Sequence, residues 1–322
     1  MPLHAQMTRY DRGLFDLWIA VMRGDIQAEY AAGHDMLAAA PGSELAIFLA
    51  GTTALYANHI GEAIDLLERI PVERSPALWD VFGTHLATAY HLAGRYHDEV
   101  RESARRLSRQ PVHLNAMQEY GRALIASGRM REASELIDRI VQSGRAPRQL
   151  PATAIFNLAD EMLMHGHPEE GRRLFRLVLV LAEKSSAEEL RAGGMRLAVP
   201  VSLYRLGELD APDSMMRANL AAAPNDISYL RLHGLIAARR GDITEADAMS
   251  SRLAALRTPY LRGANTLARA QIAAVLGRKE EAVRLLKQSS GDGQRFMTFH
   301  SLPDLLPLRG YPPFDAFMAP GK

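Results

Sequence analysis

Eleven histidines and no cysteine bound the chemistry open to this chain. Thiolate nucleophiles, disulfides and cysteine metal sites are excluded. The most metal-like spacing is His165-Gly166-His167. It falls on an expected hairpin turn with no third ligand near it in sequence, so no metal site is expected. His85, His91 and His97 are spaced by six. That spacing rotates each by about 240° on a helix and gives them no common face. The pairs Glu169-Glu170, Glu188-Glu189 and Glu280-Glu281 fall in expected first turns of helices. Carboxylates there complement the helix dipole rather than form an acid–base pair.

Phosphate chemistry is equally unsupported. Gly277-Arg278-Lys279 lacks the upstream glycine and the hydroxyl of a P-loop. No zincin pair of histidines with an adjacent glutamate occurs. No catalytic residue, metal or cofactor is therefore expected, and the chain reads as non-enzymatic. Arg105-Arg106, Arg172-Arg173 and Arg239-Arg240 read as solvated faces, and Arg145 and Arg148 as a basic loop. With 38 basic and 37 acidic residues the net charge is +1, which offers no field for nucleic acid. No apolar run approaches the roughly 18 residues of a membrane span, and the first residues do not read as a secretory signal. A cytoplasmic location is the expectation.

The elements that carry these residues announce themselves by repetition. A turn phrase recurs with anchors at Gly24, Asn58, Gly94, Gly128, Gly166, Gly207, Gly241 and Gly277, in steps of 34, 36, 34, 38, 41, 34 and 36 residues. A period in this range marks stacked helical hairpins. Hydrophobic content of 48% with only 7% aromatics suits tightly packed helices. Pro41, Pro111 and Pro224 each lie 17 residues after an anchor, where a second helix should stop. Ser43 is placed to cap the helix that follows Pro41. A single helix is expected over 187–206, and the steps of 38 and 41 mark the stretch from Ser143 to Pro212 as the irregular part of the array.

The unit from Tyr120 to Ala133 resembles a tetratricopeptide repeat. Gly121 matches the small residue of its first helix and Ala133 that of its second. Gly51, Ala87, Ala159, Gly234 and Ala270 fill the first site elsewhere, and Ala63, Gly171, Ala246 and Ala282 the second. Leu17 and Pro200 depart at the first site, Glu29, Glu99 and Pro212 at the second. The resemblance implies an all-α, right-handed superhelical solenoid of about eight antiparallel hairpins over 10–290. Residues 1–9 would be a disordered start or an artefact of expression, and 291–322 a C-terminal capping segment.

The same resemblance puts first helices on the concave side. The expected groove residues are Thr84, Thr88, His91, Asn115, Gln118, Arg122, Asp160, Arg231, Arg239 and Gln271, with Thr52 beside them. Neutral hydrogen-bonders with a few arginines suit an extended peptide, and Arg122 or Arg231 could pair a carboxylate. They do not reproduce the lysine–asparagine clamp of chaperone-tail binders. The segment Phe299 to Phe314 resembles the closing segment of many bacterial repeat proteins, often fused to kinases, cyclases or winged-helix regulators. Its Leu302, Leu305, Leu306, Leu308 and Phe314 are expected to cap the last hairpin. The function expected is a protein-interaction scaffold binding a peptide or protein segment in the groove. The alternative is a regulatory or sensor module that binds a small ligand, or self-associates as a homodimer, and signals to a separate output domain.

Overall fold

The computed structural model describes residues 6–70, 79–143, 150–191, 195–258 and 260–321. Arg145 and Arg148, the connector 71–76 and the first residues of the chain lie outside them. Among the described residues there is no strand. The helices form eight antiparallel pairs: α1 (Arg9–Arg23) with α2 (Ile26–Ala39), α3 (Glu44–Tyr56) with α4 (Ile60–Leu67), α5 (Trp79–Leu92) with α6 (Tyr96–Arg109), and α7 (Leu114–Ala126) with α8 (Met130–Gln142). Then come α9 (Pro151–Met164) with α10 (Pro168–Glu183), α12 (Met195–Leu206) with α13 (Asp210–Ala222), α14 (Ile227–Arg240) with α15 (Ile243–Ala255), and α16 (Ala264–Val275) with α17 (Lys279–Gly291). Each pair packs on the next, and first helices also touch first helices along the array. The architecture is a tetratricopeptide-like all-α solenoid.

All eight sequence anchors adopt left-handed backbone, with φ between 69° and 86°. Seven are glycines, for which this region carries no Cβ penalty. The eighth is Asn58 at φ 72°, a residue type that tolerates the left-handed well better than most. Small residues sit where helices close on each other. A Cβ on Gly51 would lie 2.9 Å from Leu67, one on Gly121 3.0 Å from Leu158, and one on Gly234 2.5 Å from Ile272. Ala63, Ala133, Ala246 and Ala282 are fully buried at the matching site of the second helices.

The proline stops hold. Helices α2, α6 and α13 each end two residues before Pro41, Pro111 and Pro224. Each of these prolines then serves the next repeat. Arg69, Arg139 and Arg252 donate to their carbonyl oxygens at 3.3, 3.4 and 2.6 Å, each from 28 residues further on. Ser43 caps α3 as expected, accepting from the Ala46 amide. Pro212 sits in the first turn of α13, where a missing amide proton costs no hydrogen bond. Pro200 is buried inside α12.

The expected single helix over 187–206 is a short α11 (Ala187–Arg191) and α12, with 192–194 between them outside the described residues.

The C-terminal segment packs against the last hairpin and reaches beyond it. Phe296, Phe299, Leu305, Leu308 and Phe314 bury themselves against α16 and α17. Two 3₁₀ segments, Phe296–Ser301 and Pro303–Leu308, then run inside the superhelix, the first against α3 and α9, the second against α9 and α16. After α18 (Pro312–Met318) the chain reaches the second repeat. There Asn58 Nδ2 donates to the Ala319 carbonyl at 2.8 Å, and the Gly321 amide to the Asn58 carbonyl at 2.8 Å. The Arg295 guanidinium lies 3.8 Å from the centre of the Tyr56 ring. A Cβ on Gly293 would sit 2.2 Å from the Gly24 carbonyl oxygen. The last repeat is thus joined to the first two. No described helix is long and apolar enough to cross a membrane.

Candidate functional site

The candidate groove residues stand on first helices, and the C-terminal segment packs on three of these helices, α3, α9 and α16. Most of those residues are already engaged. Thr84 donates to Glu119 at 3.1 Å, and Gln118 accepts from Asn157 at 2.9 Å. Thr88 and Thr52 are buried, and Asn115 is exposed. Arg239 donates to the Tyr204 carbonyl at 2.5 Å and lies 4.0 Å from the centre of that ring. The remaining five, His91, Arg122, Asp160, Arg231 and Gln271, divide between two clusters.

The first cluster is built around a residue of the C-terminal segment. Asp304, almost fully buried, receives Arg205 at 2.5 and 3.0 Å, the Tyr204 hydroxyl at 3.1 Å and Gln271 Nε2 at 3.3 Å. Burial alone would raise its carboxyl, but the charge and hydrogen bonds of Arg205, then Arg231, hold it below the usual carboxylate range. Asp160 shares Arg205, accepting from its Nε at 3.1 Å. Burial is the largest influence on Asp160 and raises its carboxyl, against the pull of Arg205.

Arg231 is placed differently. Its nearest carboxylate oxygen, on Asp304, is 3.9 Å away, and its side chain is 21% exposed. Among the described residues it makes no direct hydrogen bond. Burial pulls its guanidinium below the ordinary arginine value, with the neighbouring Asp304 opposing that fall and Arg205 adding to it. Arg231 faces a cleft of about 430 Å³ between α9, α12, α14, α16 and the C-terminal segment. Asn157, Ser228, Gln294 and Thr298 supply polar edges to the cleft, and Phe156, Leu197, Ile227, Leu267 and Leu302 apolar walls.

The second cluster lies where α5, α6, α7 and α9 meet. His91 Nδ1 lies 2.8 Å from Glu99 Oε2, and Arg122 Nε donates to Glu99 Oε1 at 2.8 Å. Glu99, which departs from the small-residue pattern, is completely buried here. Glu161 Oε1 stands 3.4 Å from His91 Nε2 and 2.8 Å from His165 Nε2. The rings of His91 and His165 meet edge to face at 5.5 Å, with Tyr96 against both. His167, the other half of the sequence pair, is the N-cap of α10 and stands outside the cluster.

Sequence reasoning singled out His91, Arg122, Asp160, Arg231 and Gln271, which the structure gathers into these two clusters. It missed Tyr204, Arg205 and Asp304, because no periodicity places a C-terminal segment inside the array. It missed Glu161, although Glu161 and His165 stand four apart, one turn of a helix.

No protein-family model matches the chain, and no curated protein matches it. Among solved structures it is similar to a tetratricopeptide repeat protein from Parabacteroides merdae, at 13% identity and a TM-score of 0.44, over 81% of this chain and 98% of that one. It is also similar to Naa15/Naa10 bound to HypK-THB, at 14% identity and a TM-score of 0.33. That match covers 90% of this chain and 49% of the other, so this chain spans about half of its length. The tetratricopeptide-like assignment rests on the eight hairpins and their left-handed anchors.

Proposed function

We propose that this chain is a non-enzymatic interaction module that takes the carboxylate end of a partner peptide in the cleft beside its own C-terminal segment. Arg231 carries the reading. A mostly covered guanidinium with no direct hydrogen bond, facing a 430 Å³ cleft, can offer two parallel donors to an incoming carboxylate. Asn157, Ser228, Gln294 and Thr298 suit the backbone groups of the last residues of an extended chain. The apolar walls would take one or two side chains. A long peptide along the whole concave face fits less well, because the C-terminal segment already lies there.

The test is fluorescence anisotropy with a library of short peptides, each made with a free and with an amidated C-terminus. Free-carboxylate peptides should bind, and Arg231→Gln should weaken them about tenfold or more, the usual scale for a lost charge-assisted bond. Equal binding of amidated peptides, or an unaffected Arg231→Gln, would sink the reading. Binding of succinate or citrate with no peptide binding would favour the regulatory module that senses a small ligand.

A further inference from the structure

We propose that His91, Glu161 and His165 form a binding site for a divalent transition-metal ion, with zinc the ion their two-nitrogen, one-oxygen set suits. The site is separate from the peptide cleft and does not depend on it.

The ligand atoms already stand together. One atom from each residue lies within 4.8 Å of the other two. Metal bonds of about 2.0–2.2 Å in tetrahedral geometry put neighbouring ligand atoms roughly 3.3 Å apart. Glu161 Oε1 is 3.4 and 2.8 Å from the two histidine Nε2 atoms. Shifts of a few tenths of an ångström along side-chain torsions would bring these pairs to that spacing.

The arrangement of acceptors around these atoms suits a cation. The Glu99 carboxylate can only accept, so His91 Nδ1, 2.8 Å away, carries the proton. His91 Nε2 lies 3.4 Å from Glu161 Oε1. A cation held between that nitrogen and that oxygen would satisfy both. Glu161 Oε1 is itself buried and makes no well-directed hydrogen bond, its nearest neighbour being His165 Nε2 at 2.8 Å. Glu161 is more than nine-tenths buried. A buried carboxylate oxygen without a well-directed partner is costly, and a shared metal would supply one.

What stands behind these atoms is what metal histidines require. A ligating imidazole usually donates its other nitrogen to a carboxylate, which fixes its tautomer and its orientation. Glu99 does this for His91, and Arg122 holds Glu99 from the far side. The burial of Glu99 at a position the repeat reserves for a small residue thus acquires a purpose. The two histidine side chains are 14% and 18% exposed, so a fourth position remains open to water or to a ligand atom. The ion would join the third hairpin to the fifth across α7, which lies between them.

The test uses the full chain, stripped of metal by chelation and dialysis. Cobalt(II) and zinc(II) serve as probes, the first followed by its visible absorption bands and the second by calorimetry. One equivalent of cobalt should bind with the intense bands of a four-coordinate site, and zinc should displace it. His91→Ala and His165→Ala should each weaken zinc binding by about 100-fold, and Glu99→Gln by about tenfold, the usual range for an outer partner. His167→Ala, two residues from a proposed ligand, should leave binding unchanged. Circular dichroism guards against misfolding, and His165→Ala, at the end of α9, is the variant least able to disturb the core. Absence of stoichiometric binding to the natural chain overturns the proposal. So does binding that survives both His91→Ala and His165→Ala, or that is lost in His167→Ala.

Discussion

Arg205 grips Asp304 with both terminal nitrogens, at 2.5 and 3.0 Å, across 99 positions of chain. The pair pins the C-terminal segment to the inner face of the solenoid, with both side chains at most 5% exposed. Removing Asp304 leaves Arg205 with Asp160 alone and Arg231 without its nearest counter-charge, a loss approaching the ~3–5 kcal/mol of a broken buried pair. Asp304→Ala should therefore lower the urea midpoint markedly and open the chain after Gly291 to protease. An unchanged midpoint and an unchanged cleavage pattern would mean that the segment is held by apolar contacts alone.

Asn58 has two duties, and two substitutions separate them. It adopts left-handed backbone and its amide nitrogen donates to Ala319. Asn58→Gly keeps the turn and the backbone bond from Gly321, and loses only the side-chain bond to Ala319. Asn58→Ala loses that bond as well, and forcing an ordinary residue into that conformation costs about 1–2 kcal/mol. Asn58→Ala should thus be the less stable of the two by about that amount in chemical denaturation. Equal stabilities would remove the left-handed turn as the reason for asparagine at this anchor.

Two helical glycines should respond with opposite signs. Gly234 has Ile272 Cδ1 2.5 Å from where a Cβ would sit, so Gly234→Val should overpack the contact between α14 and α16. The cost should be about 1–3 kcal/mol. Gly61, exposed in α4, has no neighbour within 4 Å of that point, so Gly61→Ala should be neutral or stabilise by about 0.4–1 kcal/mol. Thermal melts of both variants check the pair, and a destabilised Gly61→Ala would contradict the register of the second hairpin.

The C-terminal segment also carries a pH dependence. Burial, with smaller contributions from His91 and Arg309, pushes the His300 imidazole down to about 4. In the unfolded chain it would protonate near 6.5. The unfolded state therefore binds the proton first as pH falls, and stability declines from about pH 6.5 towards pH 4. Asp304, held below its ordinary value by Arg205, adds stability that is full above about 3.9 and disappears only at still lower pH. Between pH 7 and 5 the His300 contribution should be of order 1–2 kcal/mol, measured by urea unfolding in the presence of a chelator. His300→Gln should flatten this slope. A slope that is the same in the variant would assign it to other groups.

Much of the scaffold was legible because its causes are local. A left-handed residue is needed at every hairpin turn, and glycine or asparagine stands at all eight. A close helix approach needs a small side chain, and Gly51, Gly121 and Gly234 have no room for a larger one. Pro41, Pro111 and Pro224 end helices by their own covalent geometry. The sites were legible only in part, because their partners come from far along the chain. The repeat phase singled out Arg122, Asp160 and Arg231 on first helices. It could not say that Asp304 would arrive to take Arg205, or that Glu161 would meet His91 from another hairpin. Glu99 read as a flaw in the pattern, whereas it is the buried acceptor that His91 and Arg122 share. The carbonyls of Pro41, Pro111 and Pro224 gave no sign that an arginine of the next repeat would reach each of them.

An open solenoid can gain or lose a unit by gene duplication or deletion at small penalty, since each unit meets only its neighbours. This chain has given up that freedom. Arg295 must find Tyr56, Gly293 must find Gly24, and Ala319 must find Asn58. A ninth hairpin, or a seventh in place of the eighth, would carry those partners past each other. The contact between ends also couples every hairpin to every other, so unfolding should run as one all-or-none transition instead of fraying unit by unit from a terminus. The number eight is thereby a property of the whole, set by where the two ends must meet.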